Sequence, residues 1–153
     1  MKIRSYQETD FKEVYQLFCN TVRKINIKDY SKEQINNWAL KNPDENKWQN
    51  TLLNNYSIVA IIDQQIVGFS DVDNNGYLDH LYIHHLYLRQ GIASSLLNEI
   101  KRYVIDLGIN LIDSEASITA LPFFKQQGFN IIKKQEVEKN KIIFTNFLVR
   151  KIL

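Results

Sequence analysis

Apolar residues recur at helical spacing in the first third of this chain. Those between Phe11 and Ile25 fall on one face, which predicts an amphipathic helix after a short first strand at Lys2–Tyr6. Asp10 and Glu13 have the spacing of a capping box at the start of that helix. The N-terminal third is therefore expected to be mainly helical.

Two further start signals predict short helices before residue 55. Ser31 and Gln34 have the spacing of a second capping box. Asn42-Pro43 places an asparagine cap ahead of a proline, which is favoured at the first position of a helix. Trp38 and Trp48 would lie on the inner faces of these two helices.

The period changes from helical to β after residue 55. The runs Tyr56–Ile62 and Ile66–Val72 are rich in β-branched residues, and three polar residues separate them, which predicts a hairpin. Asp73-Asn74-Asn75-Gly76 is a strong turn signal that leads into a further strand at residues 77–84. Three consecutive strands are thus expected to form an antiparallel meander.

The last third of the chain alternates helices and strands. An apolar stripe from Ile92 to Leu107 predicts a long amphipathic helix that ends at Gly108. The remaining predicted elements are a strand at Asn110–Ala116, a short helix capped by Ser117, and a closing hairpin of Phe129–Val137 and Ile142–Val149. The order indicates an α+β, sandwich-like fold with a mixed sheet and a β-α-β unit at its middle. Without repeats or linkers, residues 1–153 are expected to be a single domain.

Composition excludes several classes of protein. The net charge of +2 is too small to favour nucleic acid as a partner, and no segment approaches the ~20 apolar residues of a membrane span. Cys19, the single cysteine, cannot form an internal disulfide and fits a reducing compartment. We therefore expect a cytoplasmic protein that binds neither nucleic acid nor membrane.

The stretch from Tyr77 to Ala93 has the form of a phosphate-binding unit. An apolar strand, a short loop containing Gly91 and an amphipathic helix follow one another without interruption. The first N–H groups of a helix lack intrahelical partners and the helix dipole favours an anion there, while glycine lets a ligand approach the backbone. This pattern alone is common among α/β proteins.

Two motifs in this region resemble the GNAT superfamily of N-acetyltransferases. Leu81-Tyr82-Ile83 is similar to the strand end of the family signature, and residues 88–93, LRQGIA, are similar to its Q/R-x-x-G-x-G/A loop, although Leu88 and Arg89 depart from it. The string SITALPFFKQQGF, which contains Ser117, Phe124 and Gly128, resembles the later N-x-x-A-x-x-x-Y-x-x-x-G-F motif. Both blocks occur in the family's order. The string around residue 117 and the terminal TNFLV also resemble a bacterial subfamily of small acetyltransferases.

The resemblance implies acetyl-CoA as the acyl donor, with no metal. It places the donor in a V-shaped gap between splayed central strands, at residues 77–84 and 110–116. The pantetheine arm would run along the first strand and the pyrophosphate would lie on the loop amides. The implied donor-binding residues are Leu81, Tyr82, Ile83, Leu88, Arg89, Gln90, Gly91, Ile92, Ala93, Ser117, Phe123 and Phe124.

Acetyl transfer by direct attack needs a base, a donor that polarises the thioester carbonyl and an acid for the leaving thiolate. By resemblance, the backbone N–H of Ile83 is the polarising donor, and the base would lie four or six positions earlier, at Asp79 or Tyr77. A carboxylate such as Asp79 is costly inside an apolar strand. It is either a base with a raised pKa or an aspartate that is solvated or paired with a lysine.

The position expected to hold the general acid for the thiolate departs from the family pattern. The usual tyrosine falls at Phe124, which has no proton to donate. Tyr82 or a water could serve instead, or the thiolate could leave unassisted. Ser117 could bind the pantetheine or cap its own helix.

The three histidines invite a metal-site interpretation that strand geometry disfavours. His80 and His84 would lie ~13 Å apart in a strand at ~3.3 Å per residue, and His84 and His85 should point to opposite faces. We therefore expect polar residues near the donor rather than a metal site, with His80 as a secondary candidate for the base.

The acceptor is expected to be an amine of a small molecule or peptide. Candidate residues for its site are Tyr30, Trp38, Tyr77, Glu115 and Asn146. A non-catalytic acyl-CoA sensor of the same fold is the main alternative, because Phe124 replaces the acid. A nucleotide-binding domain is disfavoured, since no glycine-rich loop or Walker lysine accompanies Gly91. Monomer and homodimer both stay open.

Overall fold

The computed structural model describes residues 1–153 and contains five helices and seven strands. In chain order they are β1 (Lys2–Ser5), α1 (Phe11–Lys24), α2 (Lys32–Trp38), α3 (Glu45–Asn54), β2 (Tyr56–Ile62), β3 (Gln65–Val72), β4 (Tyr77–Ile83), α4 (Ile92–Asp106), β5 (Leu111–Ser117), α5 (Leu121–Gln126), β6 (Asn130–Lys139) and β7 (Ile142–Ile152). The predicted order of helices and strands is confirmed. Two short 3-10 turns, at Glu8–Asp10 and Asn26–Lys28, flank α1.

One seven-stranded sheet separates two hydrophobic layers. Its strand order is β1-β2-β3-β4-β5-β7-β6, and β4 with β5 is the single parallel pair. Helices α4 and α5 cover one face over a cluster of 16 buried residues, while α1, α2 and α3 cover the other over a cluster of 15. The predicted α+β class, with a mixed and mostly antiparallel sheet between helices, is confirmed.

The parallel pair at the middle of the sheet separates soon after it starts. Residues of β4 and β5 are in register only at Tyr77 with Asp113 and at Leu78 with Ser114. The Ser114 hydroxyl donates to the Leu78 carbonyl at 2.8 Å, which ties the strands together at the last shared position. Beyond this point the two strands diverge and leave a gap.

A β-bulge lies at the point of divergence. Asp71 of β3 pairs with His80, but the next residue, Val72, pairs with Leu78, so that Asp79 has no residue opposite it. Leu78 packs in the α4-side cluster, whereas His80 contacts aromatic rings of the other layer. Bulges bend a strand and increase its twist. Asp79 is thus the inserted residue at which β4 turns away from β5.

Helix starts were predicted with mixed success. The Ser31–Gln34 capping box is present, with both reciprocal hydrogen bonds formed. The expected start at Asn42-Pro43 is wrong, because Asp44 caps α3 by accepting from the Lys47 N–H at 3.1 Å. An extended residue before proline is compatible with a cap, but the Asp44 carboxylate supplies the cap hydrogen bond and the helix starts after it.

The prediction of a capping box at Asp10 and Glu13 is also wrong. The Asp10 carboxylate accepts two hydrogen bonds from the Arg4 guanidinium, at 2.8 and 2.9 Å, and one from the Gln7 N–H at 2.8 Å. Glu13 instead accepts from the Ile66 N–H on β3 at 2.8 Å. Both carboxylates therefore tie the N-terminal segment to the rest of the fold.

The Arg4–Asp10 pair gives a testable contribution to stability at acid pH. Hydrogen bonding from Arg4 lowers the pKa of Asp10, so its stabilisation is fully present above the unfolded pKa of about 3.9 and is lost as pH falls through the lower folded value. We expect Asp10→Asn to cost about 1 kcal/mol of unfolding free energy at pH 7 and progressively less below about pH 4. Urea unfolding at several pH values measures this difference.

The exposed pair of Glu99 and Arg102 provides the matched control. Their side chains are 32% and 67% exposed, and they lie one helical turn apart on α4. Glu99→Gln should change the unfolding free energy by less than about 0.5 kcal/mol at both pH 7 and pH 2. A cost for Asp10→Asn that stays constant from pH 7 to pH 2 would contradict the role assigned to its charge.

Candidate functional site

A cavity of about 870 Å³ occupies the gap between β4 and β5. Its walls come from both strands, the start of α4, the start of α5 and the aromatic side chains of the α1–α3 layer. Every site residue predicted from the sequence except Gln90 lines it. The fold thus gathers residues that are up to 116 positions apart, from Tyr30 to Asn146, around one space.

The edge of β4 that faces the cavity carries free backbone groups. His84 N–H donates to the Val67 carbonyl at 2.8 Å. Because hydrogen-bonded pairs alternate along an antiparallel ladder, Tyr82 and His80 direct their backbone groups at β3, whereas Leu81 and Ile83 direct theirs into the gap. An extended ligand can therefore pair with Leu81 and Ile83, while Tyr82 offers its side chain.

The Ile83 carbonyl already has a partner. The buried Thr21 hydroxyl on α1 donates to it at 2.8 Å, which anchors the end of β4 to that helix. The Ile83 N–H points into the cavity with no strand beside it. This N–H is the group expected to polarise a thioester carbonyl.

The loop before α4 presents a run of unpaired amides. None of the N–H groups of residues 89–94 has an acceptor within the chain, and the first intrahelical bond runs from Ser95 to the Gly91 carbonyl at 3.0 Å. Gly91 has a φ of +80°, and a side chain built there would meet nothing within 4 Å. These features fit a diphosphate, because an anion at this position would satisfy several amides at the positive end of the helix dipole.

Asp79 lies in the cavity next to the divergence point. Its side chain is 37% exposed, and burial raises its pKa, with Asp71, Asp73 and Glu115 adding to the effect and His80 opposing it. The raised pKa is consistent with the predicted role as a base. The bulge directs this carboxylate into the cavity.

His80 belongs to a buried hydrogen-bond array that the sequence analysis did not find. Its Nδ1 lies 2.8 Å from the Asp71 carboxylate, whose side chain is completely buried. The second Asp71 oxygen accepts from the Asn55 side-chain amide at 2.9 Å. The imidazole stacks on Trp48 with ring centres 4.8 Å apart. A polar residue within the apolar run IVGFSDV was the available signal for Asp71.

The expectation for the other two histidines is wrong. His84 and His85 do not point to opposite faces; their rings stack at 4.5 Å with an interplanar angle of 15°. Both residues lie beyond Ile83, where β4 ends, so strand alternation no longer applies. Neither lines the cavity.

The residues expected near the sulfur differ in burial and in whether their side chains carry a proton to donate. Phe124 is buried and packs edge-on against Phe129 at 5.0 Å. Burial raises the pKa of Tyr82, so its phenol keeps its proton at neutral pH. The Ser117 hydroxyl accepts from the Ala120 N–H at 3.0 Å, but Ala120 is the N-cap of α5 and no side chain caps that helix, so the expected cap by Ser117 is wrong. Phe123 and Ser117 both line the cavity.

The acceptor side of the cavity is aromatic with acidic groups at its edge. The Tyr30 hydroxyl is already engaged, because it donates to the Thr145 carbonyl at 2.7 Å and accepts from the Ile118 N–H at 2.9 Å. Trp38 packs edge-on against Tyr30 at 5.1 Å. Glu115 is exposed and accepts from Asn146 at 3.3 Å. Burial raises the pKa of Tyr77, with Glu115 and Asp79 adding to the effect.

A splayed parallel pair beside an open helix N-terminus is the arrangement that the resemblance to the GNAT superfamily implies. The family model described as "Acetyltransferase (GNAT) domain" matches residues 26–151. The chain therefore belongs to the GNAT family and is an N-acetyltransferase of that family. The resemblance seen in the two sequence motifs is confirmed.

One relative agrees with this assignment, and two solved structures share the fold. The chain is 38% identical over 151 residues to a protein of Escherichia coli strain K12 named "Uncharacterized N-acetyltransferase YafP", covering 98% of this chain and 95% of that protein. A GCN5-related N-acetyltransferase structure (aminotransferase, class II) from Rhodopseudomonas palustris superposes with a TM-score of 0.96 at 24% identity, covering 99% of this chain and 95% of that one. The PaiA N-acetyltransferase of Thermoplasma acidophilum, in complex with coenzyme A, superposes with a TM-score of 0.82 at 18% identity, covering 99% and 98%.

None of the five helices is both long enough and apolar enough to cross a bilayer.

Proposed function

We propose that residues 1–153 form a single domain that transfers the acetyl group of acetyl-CoA to an amine of a small molecule or peptide by direct attack. The observation that carries this proposal is the run of unpaired N–H groups at residues 89–94, which lies beside the free edge of β4 in one cavity. Backbone groups supply these contacts, so Leu88 and Arg89 can replace the family's usual residues. The Arg89 guanidinium adds a cation for a phosphate.

The donor would lie across the gap between β4 and β5. Its diphosphate would contact the amides of residues 89–94, and its pantetheine arm would run along the free edge of β4. The thioester carbonyl then comes within reach of the Ile83 N–H, which stabilises the oxygen as it becomes negative. Ser117 and Phe123 border the same channel.

The amine would approach from the aromatic side of the cavity. Trp38 and Tyr30 provide apolar walls, and Tyr77, Glu115 and Asn146 lie near the opening. Asp79, the base expected from the sequence, attracts the cationic form of the amine, and His80 is its neighbour at 3.9 Å. Tyr82 retains its proton at neutral pH and is the candidate acid for the thiolate.

A non-catalytic acyl-CoA sensor is the second candidate function. Phe124 favours it, because a buried phenylalanine occupies the position of the family's tyrosine and cannot protonate the thiolate. Enzyme and sensor share the donor site and differ only in turnover.

Thermal unfolding and thiol release together separate the candidates. Acetyl-CoA is expected to raise the melting temperature under either function, whereas only the enzyme releases free CoA thiol with a panel of primary amines (amino acids, polyamines, aminoglycosides and short peptides). Asp79→Asn should raise the KM for the amine by about 10- to 100-fold, because a charge-assisted contact contributes about 1.5–3 kcal/mol. Its KM for acetyl-CoA should stay unchanged.

Each result has a defined meaning. Stabilisation without thiol release across the panel would favour the sensor. Both functions would be overturned if acetyl-CoA neither raised the melting temperature of the folded protein nor gave a heat of binding in titration calorimetry.

A further inference from the structure

The Asp71 carboxylate has an unusual environment for an ionised group. It is completely buried at the centre of the sheet, and its two oxygens accept from His80 Nδ1 at 2.8 Å and from Asn55 at 2.9 Å. An unpaired buried carboxylate is costly, so both donors are needed to stabilise it. Because a carboxylate can only accept, the proton of this bond must reside on Nδ1 of His80.

This bond fixes which nitrogen of His80 can react. With the proton on Nδ1, the neutral imidazole has its lone pair on Nε2. Nε2 has no hydrogen-bond partner within the chain and is not among the buried polar atoms. His80 lines the cavity, so this nitrogen is accessible from it. Stacking on Trp48 at 4.8 Å and edge contact with Phe18 at 6.4 Å hold the ring in place.

The charges around His80 make its imidazole a stronger base than that of a free histidine. Burial lowers the pKa of His80, but the charge and hydrogen bond of Asp71 and the charge of Asp79 outweigh it, so that the net shift is upward. Lys139 of β6 opposes this shift, and the aromatic rings of Phe18 on α1 and Trp48 on α3 pack against the imidazole. A histidine matches the pKa of an amine better than a carboxylate does, and better matching favours proton transfer.

We propose that Nε2 of His80 accepts the proton of the attacking amine, that Asp71 is the positioning residue for this imidazole, and that Asp79 holds the ammonium group. The ammonium N–H bond breaks and an Nε2–H bond forms, which leaves a neutral amine and an imidazolium. Nitrogen then bonds to the acetyl carbon and the carbon–sulfur bond breaks. Tyr82 protonates the thiolate and regains a proton from the acylated nitrogen, which loses its second amine proton, and the imidazolium returns its proton to solvent. The proposal rests on the acetyl-transfer function above.

The tautomer of His80 can be measured without any acceptor. In ¹⁵N-labelled protein at alkaline pH, we expect Nδ1 of His80 to show the shift of a protonated nitrogen and Nε2 that of an unprotonated one. Most free histidines show the reverse, and His80→Gln assigns the signals. An Nδ1 without a proton would overturn the proposal, whether or not the protein transfers acetyl groups.

Kinetics then test the role of each side chain, with an amine from the panel as substrate. His80→Gln keeps a donor for Asp71 and is expected to lower kcat at least 100-fold without changing the KM for acetyl-CoA. Asp71→Asn should lower kcat and shift the rising limb of the pH profile to lower pH, because it removes the charge that raises the pKa of His80. His85→Gln, outside the cavity, is the matched control and should retain wild-type rates.

The competing base makes the opposite prediction. If Asp79→Asn removed the rising limb while His80→Gln kept at least a tenth of wild-type kcat, Asp79 would be the base and the proposal would be wrong. Circular dichroism checks that Asp71→Asn is folded. If it is not, the tautomer measurement and the His80→Gln rate decide.

Discussion

Replacing Gly91 with valine is expected to weaken the binding of CoA at least tenfold. Gly91 lies at the cavity wall among the unpaired amides, and the space that its side chain would fill is open. A valine there would occupy space that a ligand needs in order to approach the backbone. Its φ of +80° adds a backbone cost of about 1–2 kcal/mol for any L-residue. Titration calorimetry with CoA measures the change in affinity.

Gly108 provides a matched control for this substitution. Its φ is +81°, and a side chain there would also meet nothing within 4 Å, but it lies after the far end of α4. Gly108→Val should therefore lose similar stability and keep the affinity for CoA. Equal losses of affinity in the two variants would show that backbone strain alone explains the effect, rather than obstruction of the unpaired amides at residues 89–94.

Replacing Gly76 with alanine is expected to cost about 2–5 kcal/mol of unfolding free energy. The residue has a φ of +87°, and a Cβ there would lie 2.5 Å from the Leu111 carbonyl oxygen. Backbone strain contributes about 1–2 kcal/mol, and the steric contact, which only a backbone movement can relieve, adds about 1–3 kcal/mol. The Gly76 carbonyl also accepts from the Asp113 N–H at 3.0 Å, so that the start of the parallel pair must shift. Urea unfolding measures the loss.

Gly108→Ala separates strain from the steric contact. It carries the same backbone cost in open space, so it should lose only about 1–2 kcal/mol. If Gly76→Ala were no more destabilising than Gly108→Ala, the close approach of β4 and β5 at this turn would not be a constraint on the fold.

Local patterns predicted most of the fold. The strands at 56–62 and 66–72, the turn at Asp73–Gly76 and the long helix ending before Gly108 all follow from the period of apolar residues and from turn residues next to them in sequence. Errors occurred where a distant partner competed for a side chain. Asp10 bonds to Arg4 and Glu13 to Ile66, and neither partner can be read from helix-capping rules.

The site was predicted in its parts but not in its connections. The residues at 81–83 and 88–93 follow from family motifs, and all but Gln90 line the cavity. Asp71 and Asn55 were missed, because their link to His80 depends on strand pairing and on the end of α3 rather than on spacing. The bulge at Asp79 was missed for the same reason, since it is a property of two paired strands.

Asp79, the extra residue in β4, both carries a carboxylate and sets the path of the strand. Substituting Asp79 would remove an acidic group and leave the strand path intact, whereas deleting it would remove the bulge and make Leu78 and His80 neighbours in a regular, less twisted ladder with β3. A shortened β4 could then continue alongside β5 and close the channel. Among related chains, the residue count between Gly76 and Gly91 should therefore be conserved even where another side chain replaces this carboxylate.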